Sequence, residues 1–190
     1  TDYEPTETHN WNEMNLKENL LRGIYGYGFE NPSPIQKKGI MPILTGRDVI
    51  AQAQSGTGKT GAFTVSTLQC VDEMLNEVQG LILAPTRELA IQIHDVISKI
   101  GTFIENLKCS LLIGGRSMEQ DMKELENKPQ IVIGTPGRIH DLIRRRKLNT
   151  KLIKLLVIDE ADEMLSSGFK EQVYNIFQFL GNKVQVTLFS

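Results

Sequence analysis

Ala53-Gln54-Ser55-Gly56-Thr57-Gly58-Lys59-Thr60 decides how this chain folds. It lies between an apolar run, Asp48-Val49-Ile50-Ala51, and a segment with helical character. A strand that turns through glycines into a helix N-terminus is a phosphate cradle. The glycines let backbone N–H groups point inward, and the helix dipole favours negative charge there. Lys59 is expected to reach the β- and γ-phosphates and the Thr60 hydroxyl to ligate Mg²⁺. The general pattern opens with Gly where this loop has Ala53, and both are small enough for the turn.

A second motif lies about a hundred residues on. Lys154-Leu155-Leu156-Val157-Ile158 reads as a buried parallel strand and ends in Asp159-Glu160-Ala161-Asp162. In P-loop ATPases an acidic residue at the carboxyl end of a neighbouring strand holds Mg²⁺. Asp159 fits that role, and Glu160 is then placed to orient and deprotonate an attacking water. Taken alone, the acidic run could be no more than a helix N-terminus favoured by the dipole.

Between and beyond these motifs, strand-like and helix-like segments alternate. Strands are expected at Val49–Ala51, Leu81–Ala84, Ser110–Ile113, Ile131–Ile133, Leu155–Ile158 and Val184–Phe189. Helices are expected at Lys59–Glu77, Glu88–Gly101, Met118–Glu126, Gly137–Arg145 and Phe169–Leu180, with two more upstream. The first spans Met14 to Tyr25 and is closed by Gly26 and Gly28. The second follows the Pro32/Pro34 pair and carries Gln36. This pattern predicts an α/β domain, a parallel β-sheet with helices on both faces. Ligands of such sheets bind at the carboxyl ends of the strands.

Three further strand ends carry one signature. Leu83-Ala84 runs into Pro85-Thr86-Arg87, Ile113 into Gly114-Gly115-Arg116, and Ile133-Gly134 into Thr135-Pro136-Gly137-Arg138. Each offers turn residues, backbone N–H groups and a guanidinium to phosphate oxygens. Any one could be a helix cap with a solvated arginine. Three on one edge suggest a polyanionic strand laid across it.

Composition narrows the partners. The chain has 190 residues, 21 Lys and Arg against 23 Asp and Glu, and a formal charge of −2. A nucleic acid would therefore be held by local geometry rather than bulk charge. No apolar run approaches the length of a membrane span. Cys70 and Cys109 are far apart and read as reduced thiols, and His9, His94 and His140 have no metal-ligand spacing. Thr1 to Asn10 reads as a frayed lead-in.

These motifs together resemble the DEAD-box RNA helicases, specifically their N-terminal RecA-like P-loop domain, from Trp11 to Ser190. Gly28 through Gln36 is similar to the family's Q motif. The resemblance implies that Gln36 reads the adenine edge, that Phe29 stacks on the base, and that the site therefore chooses ATP. A glutamine amide donates and accepts at once, which suits adenine. Trp11 falls where the family often has an isolated upstream aromatic, and it could equally be a plain hydrophobic anchor. Pro85, Thr86 and Arg87, Gly114 and Gly115, and Thr135, Pro136, Gly137 and Arg138 match three RNA-contacting motifs. The resemblance implies contacts to the sugar–phosphate backbone of single-stranded RNA, with the 2′-hydroxyl separating RNA from DNA. Asp162 would link the ATP site toward a Ser-Ala-Thr motif that would begin at Ser190.

The resemblance implies an RNA-dependent ATPase that locally unwinds duplexes with ATP and Mg²⁺. A second RecA-like domain in cis, beyond Ser190, would carry the arginine finger, so residues 1–190 alone are expected to be inert. Within the family the chain is similar to translation-initiation members and to their exon-junction relatives. The first implies a cytoplasmic monomer working with initiation-factor scaffold proteins. The second implies a nuclear ATP-gated RNA clamp. A DNA-directed ATPase is a third reading, whereas a protein kinase uses a different glycine loop.

Overall fold

The structure, a computed structural model, describes residues 8–54, 58–166 and 168–190. Ser55, Gly56 and Thr57 of the phosphate loop, and most of the expected lead-in, lie outside the described residues.

Six strands form one sheet: β1 (Val49–Ala51), β2 (Gly80–Leu83), β3 (Cys109–Leu112), β4 (Ile131–Gly134), β5 (Leu155–Ile158) and β6 (Gln185–Phe189). Their order is β1-β6-β5-β2-β4-β3, and every pairing is parallel. Strand side chains alternate between two cores. Ile82, Ile131, Ile133, Leu155 and Val157 pack on one face, and Leu81, Leu83, Val132, Leu156 and Ile158 on the other. All ten are buried, which explains the continuous apolar runs in the sequence.

The first face is covered by α1 (Glu18–Tyr27), α2 (Pro34–Leu44), α3 (Lys59–Cys70) and α4 (Arg87–Ile100). The second is covered by α5 (Met118–Glu126), α6 (Pro136–Arg144), the short α7 (Ala161–Met164) and α8 (Lys170–Phe179). The expected α/β architecture, a parallel sheet with helices on both faces, is the one observed.

Two helices differ from the sequence reading. The expected helix from Met14 is instead a 3-10 turn, Trp11–Met14, capped by the Asn10 side chain, and then α1 from Glu18. Asn15 between them is left-handed, with φ 54°. Gly26 lies inside α1, and Gly28, at φ 105°, ends it. The expected helix Lys59–Glu77 stops at Cys70. Two side chains from elsewhere stop it. The Lys17 ammonium donates to the Leu68 and Val71 carbonyls at 2.9 and 2.5 Å and pairs with Glu73 at 2.9 Å. Buried Gln79 accepts from Asp72 N–H and donates to the Asp72 and Leu75 carbonyls, which fixes the following loop. The short α7 was not anticipated as a helix of its own.

The run Arg144-Arg145-Arg146 ends α6. Arg144 and Arg145 both pair with Asp141, and their side chains stay more than half exposed. Both cysteines are free. Burial pushes the Cys109 thiol up to about 12, and pushes Cys70 up against the opposing pull of Lys154 and Lys17.

Two outcomes are expected. Lys17→Met removes a charged cap from α3 and should cost roughly 1.5–3 kcal/mol in urea unfolding. Both thiols should react with a disulfide reagent at pH 8 at least about tenfold more slowly in the native protein than in denaturant, because the thiolate is the nucleophile.

Candidate ATP and RNA site

The sheet order divides the carboxyl edge into two halves. The loops after β1, β6 and β5 adjoin one another, and so do those after β2, β4 and β3. The first group carries the phosphate loop, Ser190 and the acidic motif. The second carries the three arginine-bearing turns.

In the first half, Gly58 is the N-cap of α3 at φ 92°, a conformation that favours glycine. A Cβ there would also meet Ser33 Oγ at 2.6 Å and Gln36 Nε2 at 2.7 Å. Lys59 follows on the first turn of α3. Its ammonium lies 3.0 Å from Asp159 Oδ1 and 2.5 Å from Glu160 Oε1. Burial alone would lower the Lys59 pKa, but Glu160 and Asp159 outweigh it and hold it above the usual lysine range. The ammonium therefore stays charged. The Asp159 carboxyl is 3% exposed and is pushed up by burial, against the pull of Lys59.

Asp159 is fixed at the end of β5 by its N–H, which donates to the Leu83 carbonyl at 2.9 Å. Its Oδ1 accepts the Glu160 N–H at 2.9 Å. Glu160 is left-handed, φ 50° and ψ 53°, which costs a non-glycine residue about 1–2 kcal/mol. That turn aims its half-exposed carboxylate at Lys59. Ser190 lies against the start of the phosphate loop: its N–H donates to the Ala51 carbonyl and its carbonyl accepts from Ala53 N–H, both at 3.0 Å. Asp162 lies on the first turn of α7. Gln54 is exposed beside the undescribed part of the loop.

The residues present suit Mg²⁺. Lys59 is one positive charge between two carboxylates. The available donors, the Asp159 carboxylate and the Thr60 hydroxyl, are hard oxygens. Among the described residues no three His, Cys, Asp or Glu side chains cluster as a metal site.

Gln36 is buried and already does two jobs. Its Oε1 accepts Ser33 N–H at 2.8 Å in a capping box that starts α2, and its Nε2 donates to the Gly58 carbonyl at 3.1 Å. One N–H and one lone pair remain. Phe29 is flanked by the buried Trp11, stacked at 6.3 Å, and by Tyr27 edge-on at 4.8 Å. Trp11 is thus an anchor that backs the Phe29 ring.

In the second half, a cleft of about 570 Å³ gathers all nine residues expected there, Pro85, Thr86, Arg87, Gly114, Gly115 and Thr135 through Arg138. Thr86 caps α4 by accepting Leu89 N–H. Thr135 caps α6 without spending its side chain on that helix. Gly115 is left-handed at φ 86°, and a Cβ there would overlap the Arg87 guanidinium, which lies across it. Glu88, Phe169 and Gln172 complete the cleft, and the last two were missed in the sequence. Their spacing of three on one helix was the only local signal. What places them here is the packing of α8 on α6, where Gln172 Nε2 comes 3.5 Å from a Cβ built on Gly137.

The family profile for DEAD/DEAH box helicases matches residues 33–190. The ATP-dependent RNA helicase eIF4A of Neurospora crassa is 57% identical over all 190 residues, which cover 47% of that protein. The eIF4A of Pyricularia oryzae is likewise 57% identical, with 48% of it covered. The chain thus spans about half the length of the curated relatives it matches. Among solved structures, a DEAD box protein from the hyperthermophile Methanococcus jannaschii superposes with a TM-score of 0.92 at 41% identity, over 97% of this chain and 50% of that one. S. cerevisiae Dbp5 bound to RNA and ADP BeF3 superposes at 0.86 with 36% identity, over 96% and 46%. The RecA-like fold is shared with these neighbours, and the chain belongs to the DEAD/DEAH box helicases.

Proposed function

We propose that this chain is the ATP-binding half of an RNA-dependent ATPase that locally separates RNA duplexes in translation initiation. One observation carries the reading. The sheet order sets Lys59 against an acidic pair, beside a cleft that gathers three backbone-rich turns. ATP chemistry and a polyanion therefore share one rigid edge. The relatives bearing the initiation-factor name favour initiation over an exon-junction clamp.

The phosphate loop, Ala53 to Thr60, holds the triphosphate, and Lys59 leaves the carboxylates to meet its β- and γ-oxygens. Bound Mg²⁺ would neutralise the phosphate charge, held by Thr60 and by Asp159. Glu160, freed from Lys59, takes a proton from the attacking water. Gln36 spends its remaining N–H and lone pair on adenine, and Phe29 stacks on the base. Across the edge, Thr86, Arg87, Gly114, Gly115 and Thr135 to Gly137 grip the RNA backbone. A second RecA-like half in cis, reached through Ser190 and Asp162, closes over both ligands and contributes the arginine finger. The working unit is a cytoplasmic monomer recruited by scaffold proteins of initiation.

Lys59→Ala removes the charge-assisted bonds to phosphate and should weaken nucleotide binding by roughly 10–100-fold in titration calorimetry. ATP binding equal to wild type would mean that the loop does not hold phosphate. In the full-length protein, single-stranded RNA should stimulate hydrolysis and the matching DNA should not. Glu160→Gln should abolish that stimulation while keeping nucleotide bound. Equal stimulation by DNA would overturn the RNA assignment and leave the ATP site standing. Residues 1–190 alone should turn over at least about a thousandfold more slowly than the two-domain protein, since the finger supplies a factor of that order.

A further inference from the structure

Asp121 has no part in the chemistry above, yet its side chain is fully buried. It lies on α5, and its two oxygens face Arg138 of the cleft and Arg116 on the loop after β3. Oδ2 accepts from Arg138 Nη1 at 2.7 Å, and Oδ1 lies 3.5 Å from Arg116 Nη2. Arg138 turns its other nitrogen, Nη2, to the Arg116 carbonyl at 2.9 Å. Arg116 Nη2 also donates to the Leu111 carbonyl at the end of β3. Three segments therefore meet at one carboxylate: α5, the loop after β3, and the first turn of α6 after β4.

The three arginines of this edge are not equivalent. Arg138 is 13% exposed, and its terminal nitrogens are bonded within the protein. Arg87 is exposed, lies across Gly115 and makes no hydrogen bond or ion pair among the described residues. A buried carboxylate that takes one nitrogen of a guanidinium, while the other nitrogen bonds a backbone carbonyl, forms a brace, because the planar fork fixes direction as well as distance. Burial pushes the Asp121 carboxyl up, while Arg138 and Arg116 pull it down. The brace thus depends on both arginines staying in place.

We infer that Asp121 is a positioning residue for RNA. Through Arg138 and Arg116 it sets the Gly114-Gly115 and Thr135-Pro136-Gly137 turns in register for a phosphate backbone, and Arg87 rather than Arg138 supplies the phosphate-facing charge. This inference rests on the RNA reading of the cleft. It separates two kinds of arginine that the sequence presents alike.

The test is a salt series on the full-length protein. Binding of labelled single-stranded RNA is followed by anisotropy between about 50 and 200 mM salt with a non-hydrolysable ATP analogue. Nucleotide affinity and thermal midpoint of each variant serve as the check on folding. Arg87→Ala should lose one phosphate contact, seen as a log–log slope shallower by about 0.7. Asp121→Asn should lower RNA affinity roughly tenfold with an unchanged slope, because it disturbs geometry and not the number of contacts. Arg138→Lys covers the case in which Asp121→Asn does not fold. It keeps the charge but not the fork, so it should lose affinity like Asp121→Asn. Wild-type binding by Asp121→Asn, or tighter binding, would show that the arginines are released contact residues and would overturn the brace. So would an Arg138→Lys variant that binds as wild type, since a lysine replaces a point contact to phosphate but not a fork. If wild type itself binds no RNA while binding the analogue, the RNA reading fails and the brace fails with it.

Discussion

Lys59 and Glu160 are 101 residues apart in the chain and 2.5 Å apart in space. Everything at the nucleotide edge depends on that juxtaposition. It is produced by parallel pairing of β1 with β6 and of β6 with β5, which sets the loop after residue 51 and the turn after residue 158 on either side of one strand end. The ion pairs then hold an ammonium and two carboxylates in a partly buried space, where none is left unpaired. On the proposed function a phosphate chain would enter by exchange: the lysine would change partner, and the acids would become available to a cation and a water.

The RNA contact proposed for this edge would not rest on net charge. The chain carries a slight negative excess, so no broad basic field attracts RNA. Three strand ends present turn backbone and helix N-termini instead, and few cations face solvent there. Contacts of this kind follow the sugar–phosphate path and carry little base information.

Much of this was legible in the sequence. β2, β4 and β5 are short apolar runs buried on both faces, which made them plain in the sequence, and β1 and β5 fall where they were expected. The phosphate loop and the acidic motif are local patterns with a local physical reason. Less legible were features decided by side chains distant in sequence. Lys17 caps α3 from more than fifty residues away, and Gln79 ties down the loop that follows, so the helix ends early. Phe169 and Gln172 enter the cleft only because α8 packs on α6. The bonding of Arg138 to a buried aspartate likewise has no one-dimensional signature, and the sequence makes Arg138 look like its neighbour in role, Arg87.

Gln36 ties the start of α2 to the cap of α3 with the two ends of one amide. The group expected to meet the base is thus mechanically part of the loop that meets the phosphates. Base preference in this site is not an independent dial. A residue exchanged there to admit another purine also releases the Gly58 carbonyl and the first turn of α2. On the proposed reading, any lineage drifting toward a different nucleotide would first have to re-engineer the loop.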